Sequence, residues 1–111
     1  MPVFRVHLDA PDGSGHFRRT SVEAGDKDEA RRIVERLELR RTLFELNAGQ
    51  QAELCATYGV ESIDELPKAA PRDAADEERA AFRSLAPRTR AWLHTHYQSA
   101  PYKITKIEEA S

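Results

Sequence analysis

The densest run of chemically able side chains lies near the C-terminal end, where Arg88-x-Arg90-x-Trp92-x-His94-x-His96-Tyr97 alternates cations with flat rings. Guanidinium groups bind phosphates and aromatic faces stack on bases, so Arg88, Arg90 and Trp92, joined by Arg18 and Arg19, form a candidate nucleic-acid contact set. Trp92 is the only tryptophan, and with Leu93 it equally suits the core anchor of a helix. His94 and His96, with His7 and His16 elsewhere, raise a metal site. Residues two apart on a helix point in roughly opposite directions, about 200° apart, and no cysteine or carboxylate stands beside them at ligand spacing. No metal is expected, and no cofactor motif is present. Gly13 and Gly15 sit in a strand connection with no following helix or lysine, which excludes a phosphate-cradling loop.

Nucleophiles are equally unsupported. Cys55 is the single cysteine, so there is no internal disulfide or multi-cysteine zinc site, and on a helix face it reads as a small apolar filler. Ser14, Ser21 and Ser84 have no diagnostic neighbours, and the acids read as helix caps and solvated faces. The residues point away from catalysis. An apolar constellation is more telling. Ala30, Ile33, Val34, Leu37 and Phe44 share one helical face and are expected to cover a sheet, while Leu39, Leu43 and Leu46 form a second stripe on the opposite face. That second stripe needs a cover. It is either the rest of the chain or a partner, which makes Leu39, Leu43 and Leu46 the candidate protein interface.

The elements that must position these groups follow a split pattern. Phe4, Val6 and Leu8 alternate as one face of a strand. Asp9 to Gly15 is a hairpin loop with turn residues, and Phe17 to Glu23 returns as a second strand. In it Thr20 and Val22, with Ala24 beyond, should point inward. Phe17 is out of phase with them, which predicts a bulge near Arg18 and leaves Arg5, Arg18 and Arg19 mostly on the outer side. Asp26 and Glu29 cap a helix that reaches Leu46. Asn47 with Gln50 caps a second helix, Ala48 to Tyr58, which Gly59 stops; Ser62 with Glu65 opens a further turn that Pro67 ends. Lys68 to Arg72 is linker-like. Asp73 is expected to start a third helix, and Ser84 with Pro87 a fourth that runs to about Tyr97 and breaks at Ser99-Ala100-Pro101. Tyr102, Ile104 and Ile107 belong to a last strand. It cannot stand alone and must join the first two. The expectation is one α+β domain over 1–111: a small three-stranded, mostly antiparallel sheet of ββαβ type in the order 2-1-3, with core 3–46 and 102–109 and a helical insertion at 47–100.

At 111 residues the chain suits a single core, no apolar run approaches the roughly 20 residues of a membrane span, and no leader pattern opens it, so a cytoplasmic protein without membrane partners is expected. Arginines outnumber lysines 13 to 4, a bias of high-GC genomes rather than of nucleic-acid binding. The net charge of −2 conceals −6 over 47–78 and +4 over 79–111, two segments that face each other or form opposed patches.

The run Phe4-Arg5-Val6, Thr20-Ser21-Val22-Glu23-Ala24-Gly25-Asp26-Lys27-Asp28-Glu29-Ala30-Arg31-Arg32 and Tyr102-Lys103-Ile104-Thr105-Lys106-Ile107-Glu108 resembles the ββαβ pattern of small bacteriophage accessory proteins from high-GC actinobacterial hosts. The resemblance covers about half the chain and carries over no functional residue. It implies a protein that acts by binding host or phage proteins. A likeness to double-stranded-RNA-binding domains stops at the helix start, where those domains place lysines and this chain has Asp26, Asp28 and Glu29. Together these features point to a non-catalytic, protein-binding accessory or regulatory protein, with a sheet edge open to pairing with a second copy. The alternative is a nucleic-acid-binding accessory factor that uses the basic C-terminal segment.

Overall fold

The computed structural model describes residues 1–66, 68, 74–98 and 100–110. Strands β1 (Val3–Asp9) and β2 (Phe17–Glu23) form a hairpin, and helix α1 (Lys27–Glu45) follows. Helix α2 (Ala48–Tyr58), a single 3₁₀ turn (Ile63–Glu65) and helix α3 (Asp76–His96) precede the last strand, β3 (Lys103–Glu109). The sheet order is β2-β1-β3 and both pairings are antiparallel. The protein is therefore α+β, with a helical insertion ahead of the last strand, as the residue pattern implied.

The caps explain the helix limits. Asp26 accepts the Glu29 amide, and the Glu29 carboxylate reaches back to the amide of Gly25. Asn47 and Gln50 form a reciprocal capping box, as do Ser62 and Glu65. Gly59 ends α2 in the left-handed region at φ 68°, a conformation that costs glycine nothing.

Phe4, Val6 and Leu8 are buried on the face that α1 covers, with Ala24, Ala30, Val34 and Ile104. The other side of α1 packs a second core. Leu39, Leu43 and Leu46 meet Leu54 and Cys55 of α2, Ile63 and Leu66 of the 3₁₀ turn, and Phe82, Ala86, Trp92 and Leu93 of α3. Helix α1 is thus a spine with apolar material on two sides.

Four details depart from expectation. The β1–β2 register runs without interruption from Val3↔Glu23 to Asp9↔Phe17, so there is no bulge near Arg18. Residues opposite each other in a ladder project to one face, and Arg18, opposite Leu8, belongs to the inner face. Phe17 takes the outer one and is exposed. The irregularity lies instead between β1 and β3, at His7/Leu8, where the extra residue Thr105 brings both Ile104 and Ile107 to the inner face despite their three-residue spacing. On α1, Leu37 and Phe44 are half exposed rather than packed on the sheet. Finally, Ser84 and Pro87 do not divide two helices. Helix α3 is continuous with Pro87 inside it, because Phe82 and Ala86 on one side and Thr89, Trp92 and Leu93 on the other bury a single face. Pro67, residues 69–73 and Ser99, where an end, a linker, a helix start and a break were expected, lie outside the described residues.

Candidate functional site: a sheet edge and an arginine cleft

The predicted contact residues are not gathered into one place. Leu39, Leu43 and Leu46 are buried within the chain under the insertion and present no surface. Trp92 is buried in the same core, with its ring stacked on His96 at 4.9 Å. Arg88 turns toward Tyr58 of α2, whereas Arg90 turns toward Glu35 of α1, at 3.5 Å. Arg18 and Arg19 lie on β2. Arg19 packs over the Phe17 ring on the outer face, and Arg18 is ion-paired to Glu38.

Glu38 is a buried node. Its carboxylate accepts from Arg18 of β2, from Arg41 of α1 and from the Tyr102 amide at 2.8 Å, so it ties the sheet edge, the spine and the entry to β3. The Arg18 and Arg41 guanidiniums also lie over the Tyr102 ring, 4.6 and 5.5 Å from its centre. Burial, and then the nearby Arg41 charge, lower the Arg18 pKa. This is a structural knot whose carboxylate is saturated, although the buried Arg18 Nε has no hydrogen-bond partner.

Beside it runs the outer edge of β2. The Ala10 amide donates to the His16 carbonyl and the Ala24 amide to the Pro2 carbonyl, which fixes the phase of the ladder. Arg18, Thr20 and Val22 therefore bond to β1, and the amides and carbonyls of Arg19, Ser21 and Glu23 point away from the sheet. Among the described residues no other strand pairs with that edge. A groove of about 250 Å³ between this edge and α1 is lined by Thr20, Leu37 and the Arg18–Glu38–Arg41 group. Leu37, half exposed, gives it an apolar wall.

A second concavity of about 230 Å³ opens where α1 passes α3. The insertion-facing stripe of α1 reads Arg32, Arg36, Leu39, Leu43, Leu46; its apolar end enters the core and its arginine end faces Arg79 and Arg83 of α3. Arg36 is 5% exposed, its guanidinium lies 5.3 Å from the centre of the Phe82 ring, and its Nη2 has no hydrogen-bond partner. Desolvation foremost, then the charges of Arg83, Arg32 and Arg79, push its pKa down. The spacing carried a signal for this cleft. Arg32/Arg36 and Arg79/Arg83 are both like-charged pairs four apart on a helix, an arrangement that is unfavourable without an anion.

Cys55 is buried in the insertion core. Among the described residues no three His, Cys, Asp or Glu side chains converge to hold a metal ion, and no helix is long and apolar enough to cross a membrane. Comparison of the chain with protein-family models, with curated proteins and with solved structures finds no match in any of the three.

Proposed function

We propose that this is a non-catalytic, protein-binding accessory protein whose binding surface is the open edge of β2, and that, as its resemblance to small phage accessory proteins implies, its target is a host protein. The observation that carries this reading is the edge itself: a seven-residue strand in unbroken register whose outward amides at Arg19, Ser21 and Glu23 are paired with no other strand among the described residues. Such edges accept an extended segment by strand addition, with main-chain hydrogen bonds supplying affinity and side-chain pockets supplying choice. Arg18 does not bar the edge, because Glu38 neutralises it. The β3 edge is less suited, since its bulge and its exposed Lys103 and Lys106 break up a pairing surface.

The occupant is an extended partner segment that alternates apolar and acidic residues. Its inward side chains would fill the groove against Leu37 and Thr20, and its outward ones would meet Arg19. The nucleic-acid alternative finds less support, because Trp92 is core and Arg18 and Arg90 are engaged by Glu38 and Glu35.

Ser21→Pro is the discriminating change. It removes an outward donor and leaves the bonds of Thr20 and Val22 to β1 in place, which edge strands tolerate. In a nuclease-treated pull-down from cognate lysate, the wild type and Ser21→Ala are expected to retain one stoichiometric protein at moderate salt, and Ser21→Pro to lose it. Equal capture by Ser21→Pro, or capture of nucleic acid alone, would overturn the proposal.

A further inference from the structure

The cleft between α1 and α3 is independent of the β2 edge, for it lies on the opposite side of the spine helix. Among the described residues four guanidinium groups line it, from Arg32, Arg36, Arg79 and Arg83, against one carboxylate, Glu29, which accepts the Gly25 amide. Arg79 reaches the exposed carboxylate of Asp76 at 3.3 Å. Among the described residues Arg36 has no such compensation. A charged group taken out of water without a counter-charge is unfavourable, and three further cations around it make it more so. Proteins hold such arrangements where an anion completes them.

We propose that this cleft is an anion site that takes the terminal phosphate or diphosphate of a small ligand, with Arg36 at its floor and Arg32, Arg79 and Arg83 around its mouth. Guanidinium forks approaching from two helices suit a group that offers several oxygens in different directions, which a tetrahedral phosphate does and a planar carboxylate does not. At 5% exposure, Arg36 is reached only by the end of a ligand that enters the cleft. A diester backbone lying along the surface would stay outside. The volume of about 230 Å³ admits one or two phosphoryl groups, and the Phe82 ring packs 5.3 Å from the Arg36 guanidinium.

The test is calorimetric titration of the full chain with inorganic phosphate, pyrophosphate, ATP and sulfate at constant ionic strength. Pyrophosphate is expected to bind one per chain and to raise the melting temperature. Arg36→Gln and Arg83→Gln should each weaken it about tenfold or more, the usual cost of losing a charge-assisted contact. Arg88→Gln, whose side chain lies toward Tyr58, should bind as the wild type. Melting curves without ligand check that each variant is folded, and Arg83, exposed at the rim, keeps the test valid should Arg36→Gln fold poorly. ATP binding equal to pyrophosphate would assign recognition to the phosphates alone; tighter ATP binding would place a nucleoside beside the site. No stoichiometric binding of any phosphate probe would overturn the proposal. So would binding that both arginine variants leave unchanged, or that sulfate matches with no variant effect.

Discussion

Glu38 shows how much one carboxylate can organise. Its side chain is 6% exposed and receives Arg18, Arg41 and the Tyr102 amide, so removing it strands a partly buried guanidinium and an amide together. Glu38→Ala is expected to cost about 3 kcal/mol, the usual result of breaking a buried pair from one side, measurable by urea denaturation. Replacing Arg18 as well, as Arg18→Met with Glu38→Leu, should recover part of that loss, since the Arg18 charge is no longer stranded and Arg41 keeps Glu45, while the Tyr102 amide still lacks its acceptor. A second acid acts near the surface. Glu108 accepts from His7 at 2.8 Å and pairs with Lys106 at 3.3 Å, and these contacts, the His7 hydrogen bond first, hold its pKa below the ordinary glutamate value. A depressed carboxylate contributes stability that is present above its unfolded pKa, near 4.5, and lost as pH falls through the folded one. Glu108→Gln should therefore flatten the decline of melting temperature below about pH 4.5, near the unperturbed value. Neither role was legible in the chain. Glu38 reads as a solvated helix acid; in β2 the inward phase of Thr20 and Val22 is readable, but Phe17, out of phase with them, suggests a bulge near Arg18 that the unbroken register does not have. The true inward residue there is Arg18, which only a partner acid on α1 makes tolerable.

Among the elements, the caps were readable because they are local: Asp26 with Glu29, Asn47 with Gln50, Ser62 with Glu65 and Gly59 need only neighbours within five residues. Helix α3 was not, because Pro87 speaks locally for a boundary and the packing that overrides it is distant. Proline within a helix forfeits its own amide bond and crowds the preceding turn, at a cost of about 3 kcal/mol. Continuous burial of Phe82, Ala86, Thr89, Trp92 and Leu93 against the insertion core offsets it. Pro87 is exposed, so Pro87→Ala should lose no packing and should raise stability by about 1–3 kcal/mol in thermal or chemical unfolding. Unchanged or lowered stability would show that the proline costs α3 nothing at this position. The bulge in β3 was legible in principle, since Ile104 and Ile107 cannot share a face of a regular strand. The cleft was legible only in part: the spacing gives the paired arginines, but their meeting depends on how α1 and α3 cross.

At the scale of the whole molecule, the question is whether the insertion is a separable unit or part of one cooperative fold. The protein is thin, with extents of 43 × 37 × 18 Å, and a single helix serves two cores. On one side Ala30 and Val34 of α1 cover a three-stranded sheet, which is marginal without a helix over its apolar face. On the other, Leu39, Leu43 and Leu46 are buried only because the insertion lies on them. If the insertion opened, these three leucines would enter water and the second half of α1 would lose its main source of helical stability, which is tertiary packing rather than propensity. The sheet would then lose its cover. The architecture thus couples the cores through the spine, and a lesion far from the sheet should be felt there. Leu54 of α2 is fully buried in the insertion core and belongs to neither sheet cluster. Leu54→Ala should destabilise by about 2–5 kcal/mol, as buried leucine truncations do. In native-state hydrogen exchange, it should lower the protection of the Val6 and Leu8 amides of β1 by as much as that of Leu93 in α3. If the β1 amides keep their protection while α3 loses its own, the insertion opens by itself, and the spine holds the sheet without it.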